Sequence, residues 1–213
     1  MPSTDSTTEL RNAQLKVGSA MGVCLGLWFA PVVSGVACNG AEIVLINEVL
    51  KSLGCYSKAA SDEIYWFFRK KMLLLNIATY VPVAGVPLQL FEVYAIGQFT
   101  IHCASRPEQL TNEQWMKRNW GEIANLVFSG TQAIKFYEQS TGNTFPTNIK
   151  PQFCKSVDTF ARLYRMNEKV PGLSKAQEFT GENMRKAIHF LLDTGPKALG
   201  SQMTSFIKKK RRT

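Results

Sequence analysis

Two long runs with almost no charged side chains constrain this chain more than any other feature. Residues 17–41 contain no acidic or basic side chain, and residues 72–105 contain only Glu92. Such runs are typical of segments that meet lipid or lie in a very apolar core. Proline and glycine interrupt both runs, between Pro31 and Gly40 and between Pro82 and Pro87. Because the remaining pieces are short for a membrane span, we expect a monotopic or re-entrant arrangement at a membrane.

The composition indicates a folded, basic protein without a disulfide framework. The chain has 213 residues, of which 45% are hydrophobic and 11% aromatic, so we expect one or two compact units. Basic residues exceed acidic ones by 25 to 16, and the net charge of +9 favours an anionic partner. The five cysteines are widely spaced without a CxxC motif, which favours reduced thiols. No secretory signal pattern begins the chain, so we expect a cytosolic or cytosol-facing location.

Hydrophobic periodicity predicts an all-α fold of about eight helices. In the N-terminal half, proline, glycine and capping residues set the expected limits of the helices. These expected elements are a helix over 8–30, a loop over 31–40, a helix over 41–53, a helix from Ser57 or Ser61 to Tyr80, and a helix that follows the 81–87 break and ends near Ser105.

An internal repeat relates the two low-charge regions at a constant offset of 50 residues. The identical pairs are Leu25 and Leu75, Val33 and Val83, Gly35 and Gly85, Val36 and Val86, Glu42 and Glu92, and Ile46 and Ile96. We interpret them as two helical hairpins whose breaks occupy equivalent places.

The composition shifts after Arg106, where ordinary amphipathic patterns replace the uncharged runs. We therefore predict two units, an apolar hairpin domain over 8–105 and a helical bundle over 107–213. Thr111 to Gln114 has the spacing of a capping box. The expected apolar stripes of the following helices are Met116, Trp120, Ile123, Val127, Gly130, Ile134 and Tyr137; Phe153, Val157, Phe160 and Tyr164; Met184, Ile188 and Leu191; and Leu199, Met203 and Phe206.

Several short motifs follow one another in the N-terminal half. They are Ala30-Pro31-Val32-Val33, Gly40-Ala41-Glu42-Ile43, Leu53-Gly54-Cys55-Tyr56-Ser57, Ser61-Asp62-Glu63, Val81-Pro82-Val83-Ala84-Gly85 and Tyr94-Ala95-Ile96-Gly97. In this order the stretch 15–105 resembles an uncharacterised bacterial helical domain, found attached to Era-like GTPase domains or in inner-membrane proteins. No GxxxxGK[ST] loop occurs, so no nucleotide site is carried over. The resemblance implies a membrane-associated helical module that serves a GTPase in trans.

Glu42 and Glu92 are acids within apolar sequence. A buried carboxylate without a partner tends to take up a proton, so the two residues are candidates for a proton or cation site. The alternative is that Glu42 lies in the first turn of its helix, where free amides stabilise it, and that Glu92 faces solvent or a lysine.

Two basic clusters are candidates for contact with anionic lipid or a partner. Arg69, Lys70 and Lys71 lie between the aromatic run 65–68 and the apolar run 72–75, which is typical of an interfacial anchor. An exposed face of a soluble bundle is the alternative. The second cluster is Lys208, Lys209, Lys210, Arg211 and Arg212, which could contact lipid, act as a nuclear-type signal, or form a solvated helix end.

No catalytic or metal-binding motif is present in the sequence. His102, Cys103 and His189 have no ligands or activating base at a suitable spacing, so we expect structural roles, no cofactor and no enzymatic activity.

The N-terminal half has too little polar surface to stand alone, and lipid or a companion chain is expected to cover it. The sequence therefore predicts a non-enzymatic, membrane-associated anchor, scaffold or partner protein. A soluble subunit with its hairpins buried against a partner is the alternative, and nucleic-acid binding through the basic tail is the third.

Overall fold

A computed structural model describes residues 4–27, 34–72 and 85–168 of the chain. Within these ranges the protein is helical with no strand, which confirms the all-α prediction of about eight helices. The helices are α1 (Thr4–Leu27), α2 (Ser34–Ser52), α3 (Lys58–Lys71), α4 (Gly85–Ala104), α5 (Glu113–Val127), α6 (Gly130–Thr141) and α7 (Lys150–Glu168), with a 3-10 turn at Pro107–Gln109 between α4 and α5.

Helix α4 lies at the centre of the fold and contacts every other α-helix of the described residues. Most of its side chains are buried, and Phe91, Ile96 and Phe99 are completely inaccessible to water. A helix that is apolar on all sides needs cover on all sides. Helices α5, α6 and α7 supply much of the cover that we had expected from lipid or a companion chain.

The buried side chains on the two sides of Arg106 belong to one hydrophobic cluster. The ring of Trp120 on α5 packs edge-on against Phe99 of α4, with 5.4 Å between ring centroids, and donates a 2.7 Å hydrogen bond to the hydroxyl of Tyr164 on α7. Helix α1 also packs on α6. The described parts of the two predicted units thus share a core, and their independent folding stays a prediction.

Four predicted helix limits in the N-terminal half are wrong. Helix α1 begins at Thr4 instead of residue 8, and α4 begins at Gly85, inside the predicted 81–87 break. Helix α2 begins at Ser34, so the predicted loop over 31–40 is helical from that residue onward. The reason is that glycine costs only about 1 kcal/mol in a helix, whereas proline removes a hydrogen bond. Helix α3 begins after Ser57, whose hydroxyl accepts a 3.1 Å bond from the Ala60 amide. It ends at Lys71 and not at Tyr80, and residues 73–84 lie outside the described ranges.

The first C-terminal stripe is buried as predicted, but it spans two helices instead of one. Asn112 caps α5 through a 3.0 Å bond from the Trp115 amide, one residue after the expected Thr111. The chain leaves the helix at Phe128, and Ser129 caps α6. The stripe from Phe153 to Tyr164 is confirmed on α7, and the predicted elements beyond Glu168 lie outside the described residues.

Glycine permits unusually close helix contacts in this core. A Cβ atom on Gly130 of α6 would lie 2.7 Å from the Cα atom of Cys154 on α7. One on Gly97 of α4 would lie 2.5 Å from a methyl group of Val17 on α1. At Gly18 of α1, a Cβ atom would overlap the Ser140 hydroxyl on α6. Larger residues at these positions would push the helices apart.

We expect Gly130→Ala to lower the free energy of unfolding by about 1–3 kcal/mol, because the atom that a new methyl group meets is backbone and cannot rotate away. Urea denaturation followed by circular dichroism measures the change. Gly121→Ala is the control, because Gly121 is an exposed position of α5 with nothing within 4 Å of a new Cβ atom. There we expect a gain of about 0.4–1 kcal/mol. Equal effects at the two positions would contradict the close-packing explanation.

Candidate functional site

Three charged side chains from three helices meet in the interior and form a group that we call the buried cluster: Glu42 of α2, Arg69 of α3 and Glu92 of α4. The carboxyl side chains are only 1% and 3% exposed, and Arg69 is 11% exposed. One guanidinium nitrogen of Arg69 donates to Glu42 Oε2 at 2.5 Å, and another donates to Glu92 Oε1 at 3.1 Å. Arg69 therefore bridges both acids.

Matching positions on the helices bring these residues together. Glu42 and Glu92 each lie in the third turn of their helix, as expected for residues paired by the internal repeat. Arg69 lies in the last turn of α3. One turn earlier on the same helix, the Tyr65 ring lies 5.3 Å from the Arg69 guanidinium carbon, within range of a cation–π contact.

Burial and pairing act in opposite directions on the charges of the buried cluster. Burial raises the pKa of Glu92, and the nearby Arg69 charge and a hydrogen bond with Glu42 only partly offset this effect. Burial also works against the charge of Arg69, but the attraction of the two carboxyl groups outweighs it and the pKa of Arg69 is raised. Two acids and one base that are almost completely buried favour a neutral form of one acid.

The two alternative explanations for these acids are wrong. Glu42 does not lie in a first turn with free amides, because α2 begins eight residues earlier, at Ser34. Glu92 faces neither solvent nor a lysine, because it is buried and bonded to Arg69. The burial of Glu42 and Glu92 agrees with their choice as candidates for a proton or cation site. The sequence did not predict that Arg69 would bridge the two acids.

The basic cluster at 69–71 is not the exposed belt that we had expected. Arg69 is occupied by the two carboxyl groups, and Lys70 is 13% exposed and lies 3.2 Å from Glu113 on α5. The neighbouring aromatic residues 65–68 are all buried in the core. Lys71 is half-buried and stays a candidate for a surface contact. The tail from Lys208 to Arg212 lies outside the described residues.

A groove of about 580 Å³ opens between α1 and α2, and we call it the α1–α2 groove. Its volume falls within the roughly 300–1,000 Å³ typical of ligand sites. Three aliphatic side chains on its walls are exposed: Val23 by 65%, Val44 by 60% and Leu15 by 45%. The other lining residues are Lys16, Ser19, Ala20, Cys24, Ala41, Leu45, Glu48 and Val93.

One end of the α1–α2 groove is polar and the other is apolar. At the polar end, Glu48 accepts hydrogen bonds from Lys16 at 2.6 Å and from Lys51 at 2.9 Å. The bond from Lys16, followed by that from Lys51, lowers the pKa of Glu48 to about 2. Two lysines on one carboxylate leave an excess of one positive charge. Val23 and Ala41 lie toward the other end, where no charged side chain lines the groove.

The described part of the chain contains no group of histidine, cysteine and acidic side chains that could hold a metal ion. Cys24, Cys55, Cys103 and Cys154 form no disulfide bond. Burial raises the pKa of Cys103, which disfavours the reactive thiolate. His102 stacks on Trp115 with 6.4 Å between ring centroids, whereas His189 lies outside the described residues.

No helix in the described ranges combines the length and the apolar character needed to cross a membrane. Comparison with known protein families, curated proteins and solved structures gives no match. The resemblance to the bacterial helical domain, with the GTPase partner that it implies, stays a prediction.

Sequence reasoning missed the α1–α2 groove, although α1 carries a signal for it. The residues Ala13, Val17, Met21 and Leu25 recur every four positions and form the buried stripe. Leu15 and Val23 lie off this stripe and are nevertheless apolar. Apolar residues outside the core stripe of a helix indicate a second contact surface.

We expect Arg69→Met to lower the free energy of unfolding by about 3–5 kcal/mol at pH 7, because it leaves the buried carboxyl pair without a counter-charge. The loss should be smaller at pH 4, where protonation makes the carboxyl groups neutral. Urea denaturation at the two pH values measures both effects. Lys117→Met, at an exposed partner of Glu113, is the control and should change stability by no more than about 0.5 kcal/mol. An equal loss at both pH values would mean that Arg69 acts only through its packing.

Proposed function

We propose that this chain is a non-enzymatic, membrane-associated helical protein that binds anionic lipid, with an acyl chain in the α1–α2 groove. The observation that carries the proposal is the exposure of Leu15, Val23 and Val44 on the walls of one groove. Removing apolar surface from water is favourable by roughly 25 cal/mol per Å². A flexible hydrocarbon chain would bury these side chains and fill a groove of this size.

The charge at the polar end supports an anionic headgroup. Lys16 and Lys51 bring one more positive charge than Glu48 neutralises, at the end of the groove where a headgroup would lie. The net charge of +9 would also draw the protein toward an anionic surface. The tail over 208–212 would add a second contact of about 1 kcal/mol for each basic residue near the membrane. Two weak contacts together make a stable peripheral association.

A partner protein's amphipathic helix is the second candidate for the α1–α2 groove. The observation in its favour is that the groove runs along two neighbouring helices, so a third helix could lie against both. In that case the purified chain alone would not bind vesicles. Nucleic-acid binding through the tail is the third option, and it does not involve the groove.

Flotation of the full chain with vesicles tests the lipid proposal. We expect the protein to float with phosphatidylcholine vesicles that contain phosphatidylserine, and much less with phosphatidylcholine alone. Val44→Glu should reduce the vesicle-bound fraction about tenfold or more, because it places a carboxylate in the groove and repels the headgroup. The fold should persist, since Val44 is 60% exposed.

Leu163→Glu is the matched control, because Leu163 is a 55% exposed leucine of α7 that does not line the groove. It introduces the same charge, and binding should change less than about twofold. If the native chain stays unbound, or if both variants float equally well, the groove does not bind lipid.

A further inference from the structure

The buried cluster contains one more acidic group than basic groups. Glu42 and Glu92 are 1% and 3% exposed, so water cannot stabilise a second negative charge on the pair. Arg69 can neutralise one carboxylate, and it contacts both. If both acids were ionised, a net negative charge would be buried in the core. A group in that position normally takes up a proton instead.

Both carboxyl groups are held by one guanidinium group, because two nitrogens of Arg69 donate to Glu42 Oε2 at 2.5 Å and to Glu92 Oε1 at 3.1 Å. An ionised carboxylate only accepts hydrogen bonds, whereas a protonated carboxyl group has one O–H donor. A hydrogen bond between two carboxyl groups therefore requires a proton on one of them. A proton on one of the two acids would remove the repulsion between them and supply a donor to the other.

We propose that Glu42 and Glu92 share one proton at neutral pH, so that the buried cluster is a proton-binding site that joins α2 to α4. The neutral acid donates to the ionised one, and Arg69 balances the single negative charge. The proton belongs to the pair, because two carboxyl groups on one guanidinium group do not ionise independently.

The surroundings of the pair contain few other groups that could change its charge. On α3, Arg69 and Tyr65 face the two acids. Other charged groups of the neighbouring helices pair elsewhere, are exposed or are half-buried. Lys16 of α1 and Lys51 of α2 pair with Glu48, and Lys70 of α3 pairs with Glu113 of α5. The exposed groups are Lys135 of α6 and Lys155, Asp158, Arg162 and Arg165 of α7, and the half-buried ones are Asp62, Glu63 and Lys71 of α3 and Glu138 of α6. His102 lies near the other end of α4, against Trp115. Among the described residues, the buried cluster itself thus determines where the proton resides.

The position of the pair connects the proton to the α1–α2 groove. Ala41 and Leu45 line the groove on either side of Glu42 in sequence, and Val93 follows Glu92. Loss of the proton would place two like charges between α2 and α4, the two helices that these lining residues belong to. Repulsion between the two carboxylates would then push apart α2 and α4, the helices that carry this wall of the groove.

Infrared spectroscopy of the full chain tests for the proton directly, because a protonated carboxyl group has a carbonyl stretch separate from that of a carboxylate. We expect one band from a buried protonated carboxyl group in the native protein at pH 7. Glu42→Gln and Glu92→Gln should each abolish it, since the remaining acid would be ionised opposite Arg69. Glu48→Gln is the control, because Glu48 lies at the surface between two lysines, and the band should persist.

The absence of this band from the native protein would overturn the proposal, and so would a band of full intensity in both single variants. Circular dichroism establishes that each variant is folded. If one variant fails to fold, the other still decides the result.

The pH dependence of stability gives a second test with a definite sign. The pKa of Glu92 is raised in the folded protein by burial, so its contribution to stability is present at pH values below 4.5 and is lost as the pH rises through the folded pKa. Gln at position 92 has no proton to lose. The urea midpoint of Glu92→Gln should therefore rise relative to that of the native chain as the pH increases from 4 to 8.

A shift in the opposite direction would mean that Glu92 is ionised in the folded state and that the pair holds no proton.

The double variant Glu42→Gln with Glu92→Gln adds an internal check. It leaves Arg69 buried without a carboxylate, so its urea midpoint should fall far below that of either single variant. Equal midpoints in the three variants would show that the charge balance of the cluster is irrelevant.

Discussion

The fold depends on covering α4, a helix that is apolar on nearly every side. No single neighbour can bury such a surface, and among the described helices three that precede it and three that follow it in the chain pack against it. The aromatic side chains of α3, α5 and α7 then pack around Phe99 and Trp120. The low-charge runs that suggested a membrane therefore have a second explanation, since the described part of the later run is the core of the protein itself.

The buried cluster gives this apolar core a fixed arrangement. Apolar side chains can slide past one another with little loss of free energy, whereas an arginine between two acids is satisfied in only one arrangement of the helices. Arg69 thus sets the positions of α2 and α4 relative to α3. Buried polar groups are known to specify register in some helical assemblies, often at a cost in stability.

Features that depend on local sequence were predictable, and features that depend on distant contacts were not. The all-α class, a serine cap at Ser57 or Ser61 and the buried stripe of α7 follow from patterns within a few turns, and the structure places the cap at Ser57. The break at Phe128 was missed because the apolar spacing continues across it, although Ser129 and Gln132 have the spacing of a cap. The bridge by Arg69 was missed because it joins residues 27 and 23 positions away, and periodicity carries no information about such pairs.

The close contacts of α1 with its neighbours determine which of its side chains face solvent. Val17 fits against Gly97 of α4, while the next residue, Gly18, faces Ser140 of α6. Consecutive residues of a helix point about 100° apart, so these two contacts hold α1 from two directions and prevent rotation about its axis. Leu15 and Val23 consequently cannot turn inward to escape water. A molecule that occupied the α1–α2 groove would therefore meet side chains whose helix is already held in place, and little conformational entropy would be lost on binding.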